Sequence, residues 1–163
     1  MVMKLGRLRV LVVEDNQAMR DLVVAALTNL GIGRIYQIAN PERIFESMRE
    51  GEPDVIITDW QMDHMDGIEM VKKIRRDKLS PDPLIPIIIV TGYNSKPRVE
   101  EARDAGVTEF LIKPFTAEDI AKRLASIINK PRDFVQTTDF LGPDRRRRKI
   151  DGYSGSKRRD DDT

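Results

Sequence analysis

The stretch Arg9-Val10-Leu11-Val12-Val13-Glu14-Asp15-Asn16 sets the reading of the whole chain. An unbroken aliphatic run without polar alternation suits a parallel strand covered on both faces, and this one stops at two acids followed by a good helix cap. The first strand is expected over 8–13, and comparable runs stand at 55–58, 87–90 and 110–112, with a weaker fifth at 35–38. Between them the apolar spacing becomes helical. Met19, Leu22, Val23, Ala26, Leu27 and Leu30 recur at offsets of three and four, with Asn16 as cap and Gly31 as stop.

A second helix has Asn40 as cap, Pro41 at its first position, an apolar face of Ile44, Phe45 and Met48, and Gly51 and Pro53 to end it. A third over 67–77 buries Ile68, Val71 and Ile74. The fourth, over 97–105, offers a core only Val99, Ala102 and Ala105, and is expected to be loosely held. The last opens with Thr116, whose hydroxyl can cap while Asp119 reaches back, and buries Ile120, Leu124, Ile127 and Ile128 before Pro131 stops it. Five strands alternating with five helices predict a doubly wound α/β domain over residues 5–131, with right-handed crossovers placing helices on both faces of a parallel sheet.

The 163 residues are 40% hydrophobic and 34% charged, material for one modest domain. A formal charge of +1 gives the molecule no general pull toward nucleic acid or anionic lipid. With no cysteine there are no disulfides, thiol nucleophiles or thiolate metal sites, and a single histidine, His64, argues against a multi-histidine site. The apolar run 10–13 falls far short of a signal-peptide core of about 7 to 15 residues, and 84–90 is far short of the roughly 20 needed to span a bilayer. A soluble, cytoplasmic protein is expected. Residues 132–163 show neither period and hold 9 Lys+Arg against 7 Asp+Glu, 9 − 7 = +2, with a basic run at 145–149 and acids at 160–162. They are expected to form an extended or disordered tail.

In an open α/β sheet the ligand crevice lies at the carboxyl ends of the strands. There the first strand delivers Glu14 and Asp15, the third Asp59, the fourth Thr91 and Gly92, and the fifth Lys113 and Pro114. Converging carboxylates repel one another, which a hard cation relieves, and an all-oxygen site with room for water suits Mg²⁺. A lysine and a hydroxyl beside such a carboxylate are the parts that hold phosphoryl oxygens during transfer, with Asp59 placed as nucleophile.

The order Val-Glu-Asp-Asn (13–16), Asp59 with Trp60-Gln61-Met62 and Met65-Asp66-Gly67 after it, Val90-Thr91-Gly92 and Phe110-Leu111-Ile112-Lys113-Pro114-Phe115 resembles the receiver domain of bacterial two-component response regulators, of the single-domain chemotaxis type. The resemblance covers about residues 8–130 and implies a flavodoxin-like five-stranded sheet of order 2-1-3-4-5. It implies that Asp59 takes a phosphoryl group from a sensor histidine kinase or phosphotransfer protein, and that the chain signals without being a turnover enzyme. It further implies Mg²⁺ on Asp15, Asp59, the Gln61 carbonyl and, through water, Glu14. The Lys113 ammonium, the Thr91 hydroxyl and the backbone at Trp60 and Gly92 would receive phosphoryl oxygens, and the Lys113–Pro114 peptide would be cis. The implied switch couples Thr91 to Phe110 and changes the face of the fourth helix, fifth strand and fifth helix seen by an unidentified downstream protein, the chain being a monomer or weak dimer.

Departures from the pattern are informative. Asp63 stands where proline is usual, which predicts a more mobile loop and extra charge near the metal, and Phe110 replaces a frequent tyrosine. Gln61 and Tyr93 flank the path of hydrolytic water in this family, and a bulky Tyr93 is expected to slow phosphoryl loss. Blander readings stand beside these. Glu14 and Asp15 also suit a helix's first turn, Trp60 at the mouth of the site suits packing or partner contact, and His64 reads as a solvated loop residue. Two other functions compete. A Mg²⁺-dependent phosphatase also uses an aspartyl nucleophile, but haloacid dehalogenase-type enzymes carry Asp-x-Asp on the first strand. A receiver-gated nucleic-acid binder would use the basic run of the tail, which lacks a folded reader.

Overall fold

The computed structural model describes residues 5–92, 95–129, 134–136 and 141–143. Strands β1 (Arg9–Val13), β2 (Arg34–Ile38), β3 (Val55–Asp59), β4 (Ile87–Thr91) and β5 (Glu109–Ile112) alternate with helices α1 (Gln17–Asn29), α2 (Ile44–Gly51), α3 (Gly67–Arg76), α4 (Lys96–Ala105) and α5 (Ala117–Asn129). All pairings among these strands are parallel, in the order β2-β1-β3-β4-β5. Residues alternate between the two sheet faces. Leu11, Val13, Ile56, Ile87 and Ile89 pack with α2, α3 and α4, whereas Val10, Val12, Ile57, Ile88 and Val90 pack with α1 and α5.

The helix ends follow local chemistry. Asn16 Oδ1 accepts from the Met19 N–H at 2.9 Å, and Gly31 takes the left-handed φ of +84° that releases the chain from α1. At α5, Thr116 Oγ1 accepts from the Asp119 N–H at 3.1 Å and Asp119 Oδ2 accepts from the Thr116 N–H at 2.8 Å, the reciprocal pair expected from the sequence. The Thr116 N–H holds the Asp119 carboxyl below its usual range. Thr116→Ala is expected to cost about 1 kcal/mol of stability, measured by urea unfolding.

Several local expectations are corrected. Asn40 caps a short 3-10 turn, Pro41–Arg43, and α2 follows it; Gly51 is the last residue of α2, where a Cβ would crowd the Tyr36 ring at 3.1 Å, and the left-handed stop is Glu52. Ile128, in the last turn of α5, is exposed, and the fully buried positions of that helix are Ile120 and Leu124. Leu22 fits the helical period of α1 yet is 56% exposed, because that part of α1 borders the cleft described below. Arg75, by contrast, is buried on α3.

The expectation for residues 132–163 falls largely outside the described residues. Within it, β6 (Phe134–Gln136) and β7 (Leu141–Pro143) pair antiparallel, and β7 lies alongside α3.

Candidate functional site

A parallel sheet ends all its strands on one edge, and the register lines up the residues that matter. Asp59 stands opposite Val90, and Thr91 opposite Ile112, one residue before Lys113. The resulting cleft is lined by Glu14, Asp15, Asn16, Asp59, Gln61 and Lys113, with Met19, Leu22 and Met62 as an apolar rim. Gly67 closes it. A Cβ at that position would overlap the Asp59 carbonyl, and the Gly67 N–H donates to the Trp60 carbonyl at 2.7 Å, folding the β3–α3 loop back over the end of β3.

Asp59 is largely buried. The Lys113 ammonium donates to its Oδ2 at 3.2 Å and its Oδ1 at 3.3 Å, and the Trp60 N–H donates to Oδ1 at 2.8 Å. That N–H also reaches the Val90 carbonyl at 3.0 Å, so one of the two expected backbone donors is engaged by Asp59 itself and by β4. Gly92, the other, is exposed with open space around its Cα. The Lys113–Pro114 peptide is cis, and the Lys113 N–H donates to the Thr91 carbonyl at 2.8 Å, which ties the base of the lysine to the end of β4. Thr91 is buried.

Glu14 carries the largest electrostatic perturbation of the site. Burial first, and then a hydrogen bond and repulsion from Asp59, push its carboxyl up to about 8; the Asn16 N–H, donating at 3.3 Å, works weakly against this. Both Glu14 and Asp15 precede the cap Asn16, outside the first turn of α1. Asp15 Oδ2 instead accepts from the Asp63 N–H at 2.8 Å.

These oxygen donors fit a hard cation in chemistry. Their arrangement is open: among the described residues no three His, Cys, Asp or Glu side chains form a ready-made metal cluster. The Lys113 ammonium holds Asp59, and the Asp63 N–H holds Asp15. An ion that keeps several waters, as Mg²⁺ does, suits such a site better than one demanding an all-protein cage.

The remaining residues sort as follows. Gln61 is exposed at the rim, His64 is exposed in the β3–α3 loop, and Phe110 is buried against the face that carries α4. Trp60 lies not at the mouth of the site but in the hydrophobic core at 3% exposure, as the packing reading expects, with the Arg98 guanidinium of α4 over its ring at 4.4 Å. Neither that contact nor the Asp63 bond carries a sequence signal beyond the absence of proline at 63, because both are made across the fold. Tyr93 lies outside the described residues.

Residues 10–125 match the response regulator receiver domain family. The chain belongs to that family. This receiver is 34% identical over 122 residues to a chemotaxis protein CheY homolog of Campylobacter jejuni, covering 74% of this chain and 92% of the relative. Among solved structures it resembles the chemotaxis protein CheY4 of Vibrio cholerae with a TM-score of 0.68 at 29% identity, over 75% of this chain and 99% of that one. It also resembles the receiver domain of a Pseudomonas aeruginosa sensor histidine kinase, described with a magnesium ion coordinated in its active-site cleft (TM-score 0.66, 26% identity, 76% and 99% covered). The receiver is thus a chemotaxis-type signalling domain and not a turnover enzyme. The phosphatase alternative finds no support, since Asp59 ends β3 and β1 ends in Val13 followed by Glu14 and Asp15. Among the described residues no helix is long and apolar enough to cross a membrane.

Proposed function

We propose that the chain is a cytoplasmic response regulator phosphorylated on Asp59 by a sensor histidine kinase or phosphotransfer protein. The observation that carries this reading is the Lys113 ammonium held within 3.3 Å of both oxygens of Asp59 at the strand edge, beside Glu14 and Asp15. In the transfer an Asp59 oxygen attacks phosphorus, the bond from phosphorus to the donor imidazole nitrogen breaks, and the electron pair leaves with the imidazole. The attacking group is thus the Asp59 carboxylate. Lys113 exchanges its carboxylate partner for a phosphoryl oxygen, and Thr91 and the Gly92 N–H are the remaining donors at the edge.

Mg²⁺, held by Asp15, Asp59, the Gln61 carbonyl and Glu14 through water, would neutralise charge on the phosphoryl oxygens. The output follows from how lightly α4 is held. Its fully buried side chains are Ala102 and Ala105, so little packing opposes a shift of α4 against β5 and Phe110 when Thr91 turns toward the phosphoryl group. The surface of α4, β5 and α5 would then present a changed face to a downstream protein.

The test is intact mass after incubation with acetyl phosphate and Mg²⁺. One phosphoryl group is expected on the wild type and none on Asp59→Asn, with Lys113→Ala accepting it slowly or not at all. Equal addition to wild type and Asp59→Asn would overturn the assignment.

A further inference from the structure

We propose that Asp63 is a positioning residue for the divalent cation: its backbone N–H orients Asp15, and its side chain adds charge to the same cleft. The inference rests on the reading of the cleft as a cation site. The N–H to Asp15 Oδ2 distance of 2.8 Å is that of a charge-assisted hydrogen bond, and it spans 48 positions of sequence to join the β3–α3 loop to the end of β1. A carboxylate offers about four lone-pair sites, so one bond to Oδ2 orients Asp15 without exhausting its capacity to ligate. Proline, usual at this position in the family that the chain resembles, has no N–H and could not make the bond. The Asp63 N–H thus gives this loop a tie to β1 that proline could not make. Asp63 also lines the cleft together with Asp15 and Asp59, so its negative charge adds to theirs.

The two contributions separate by substitution. Asp63→Asn and Asp63→Ala keep the N–H and remove the charge, whereas Asp63→Pro removes both. Mg²⁺ is titrated by calorimetry and by the emission of Trp60, the chain's single tryptophan, adjacent to Asp59. Loss of charge is expected to weaken Mg²⁺ binding about threefold at low salt, a difference that fades near ~0.5 M salt. Loss of the N–H is expected to weaken it about tenfold further, with little dependence on salt.

A second measurement needs neither proline nor metal. Hydrogen exchange at the amide of residue 63 is expected to be slow in the wild type and to accelerate in Asp15→Ala. Equal affinities for Asp63→Pro and Asp63→Asn, or an amide indifferent to Asp15→Ala, would overturn the orienting role. A wild type that binds no Mg²⁺ overturns the cation site itself and this role with it, and the wild-type titration alone identifies that failure.

Discussion

Arg75→Met is expected to lower the free energy of unfolding by about 3 kcal/mol or more, because several buried acceptors lose their donor at once. The Arg75 guanidinium is buried in α3. It donates to the Gly106 carbonyl at 3.0 and 2.9 Å, to the Pro83 carbonyl at 2.8 Å and to the Ile85 carbonyl at 2.7 Å. Burial pulls its pKa down to about 9, which still leaves it charged at neutral pH. Removing a buried cation recovers its desolvation cost, and in an ion pair exchanged for apolar residues that recovery can offset the loss. Here the acceptors are backbone carbonyls that no substitution removes. Each orphaned carbonyl costs roughly 1–3 kcal/mol, so the loss outweighs the recovery. Arg75→Lys keeps the charge but not the planar fork and is expected to restore less than half. Urea unfolding with an unchanged m-value is the measurement, and a loss under about 1 kcal/mol would show that water or other donors reach these carbonyls.

The same bonds explain how α4 can be both loosely packed and well placed. Gly106, which ends α4 in the left-handed conformation, is fixed to α3 by Arg75, whereas the N-cap Ser95 makes no side-chain capping bond. The helix is thus anchored at its C-terminal end, and its N-terminal half meets the site through Arg98 and Trp60. An element held at one end and lightly packed along its length can pivot at low cost, which is what a switch at the strand edge needs.

What the sequence made legible follows the range of the interactions involved. Strand runs, the Asn16 cap and the Thr116–Asp119 pair are local, and both the sheet and the candidate site at its edge follow from them with the connection rules. The weak core of α4 was legible because its apolar positions are few. Arg75 was not, since a basic residue in the last turn of a helix ordinarily favours the helix dipole from solvent. Leu22 shares the period of Val23 and Leu27, and only the position of α1 beside the cleft turns it outward. The bond from Asp63 to Asp15 uses a backbone donor, on which side-chain identity is silent unless it is proline.

Glu14→Gln is expected to raise stability by about 2 kcal/mol at pH 7 and to leave it unchanged at pH 4. The Glu14 carboxyl is pushed up from its ordinary 4.5 to about 8 by burial and by Asp59. Between those values the folded protein holds a proton that the unfolded chain releases, so stability is greatest below 4.5 and falls as pH rises toward 8. A shift of that size would correspond to more than the stated gain, but the cleft is open to water, which screens the pair and reduces the effect. Glutamine is neutral at every pH and can still donate to Asp59, so it removes the slope and keeps the contact. A cation acts on the same charge from the other side. With Mg²⁺ bound, the carboxylates no longer need the proton, so the wild-type slope should flatten and the advantage of Glu14→Gln should shrink or reverse. Unfolding by urea from pH 4 to 8, with and without Mg²⁺, reads all four cases. A wild-type stability that is level over this range without Mg²⁺ would mean that the Glu14 carboxyl is not pushed up by burial and Asp59.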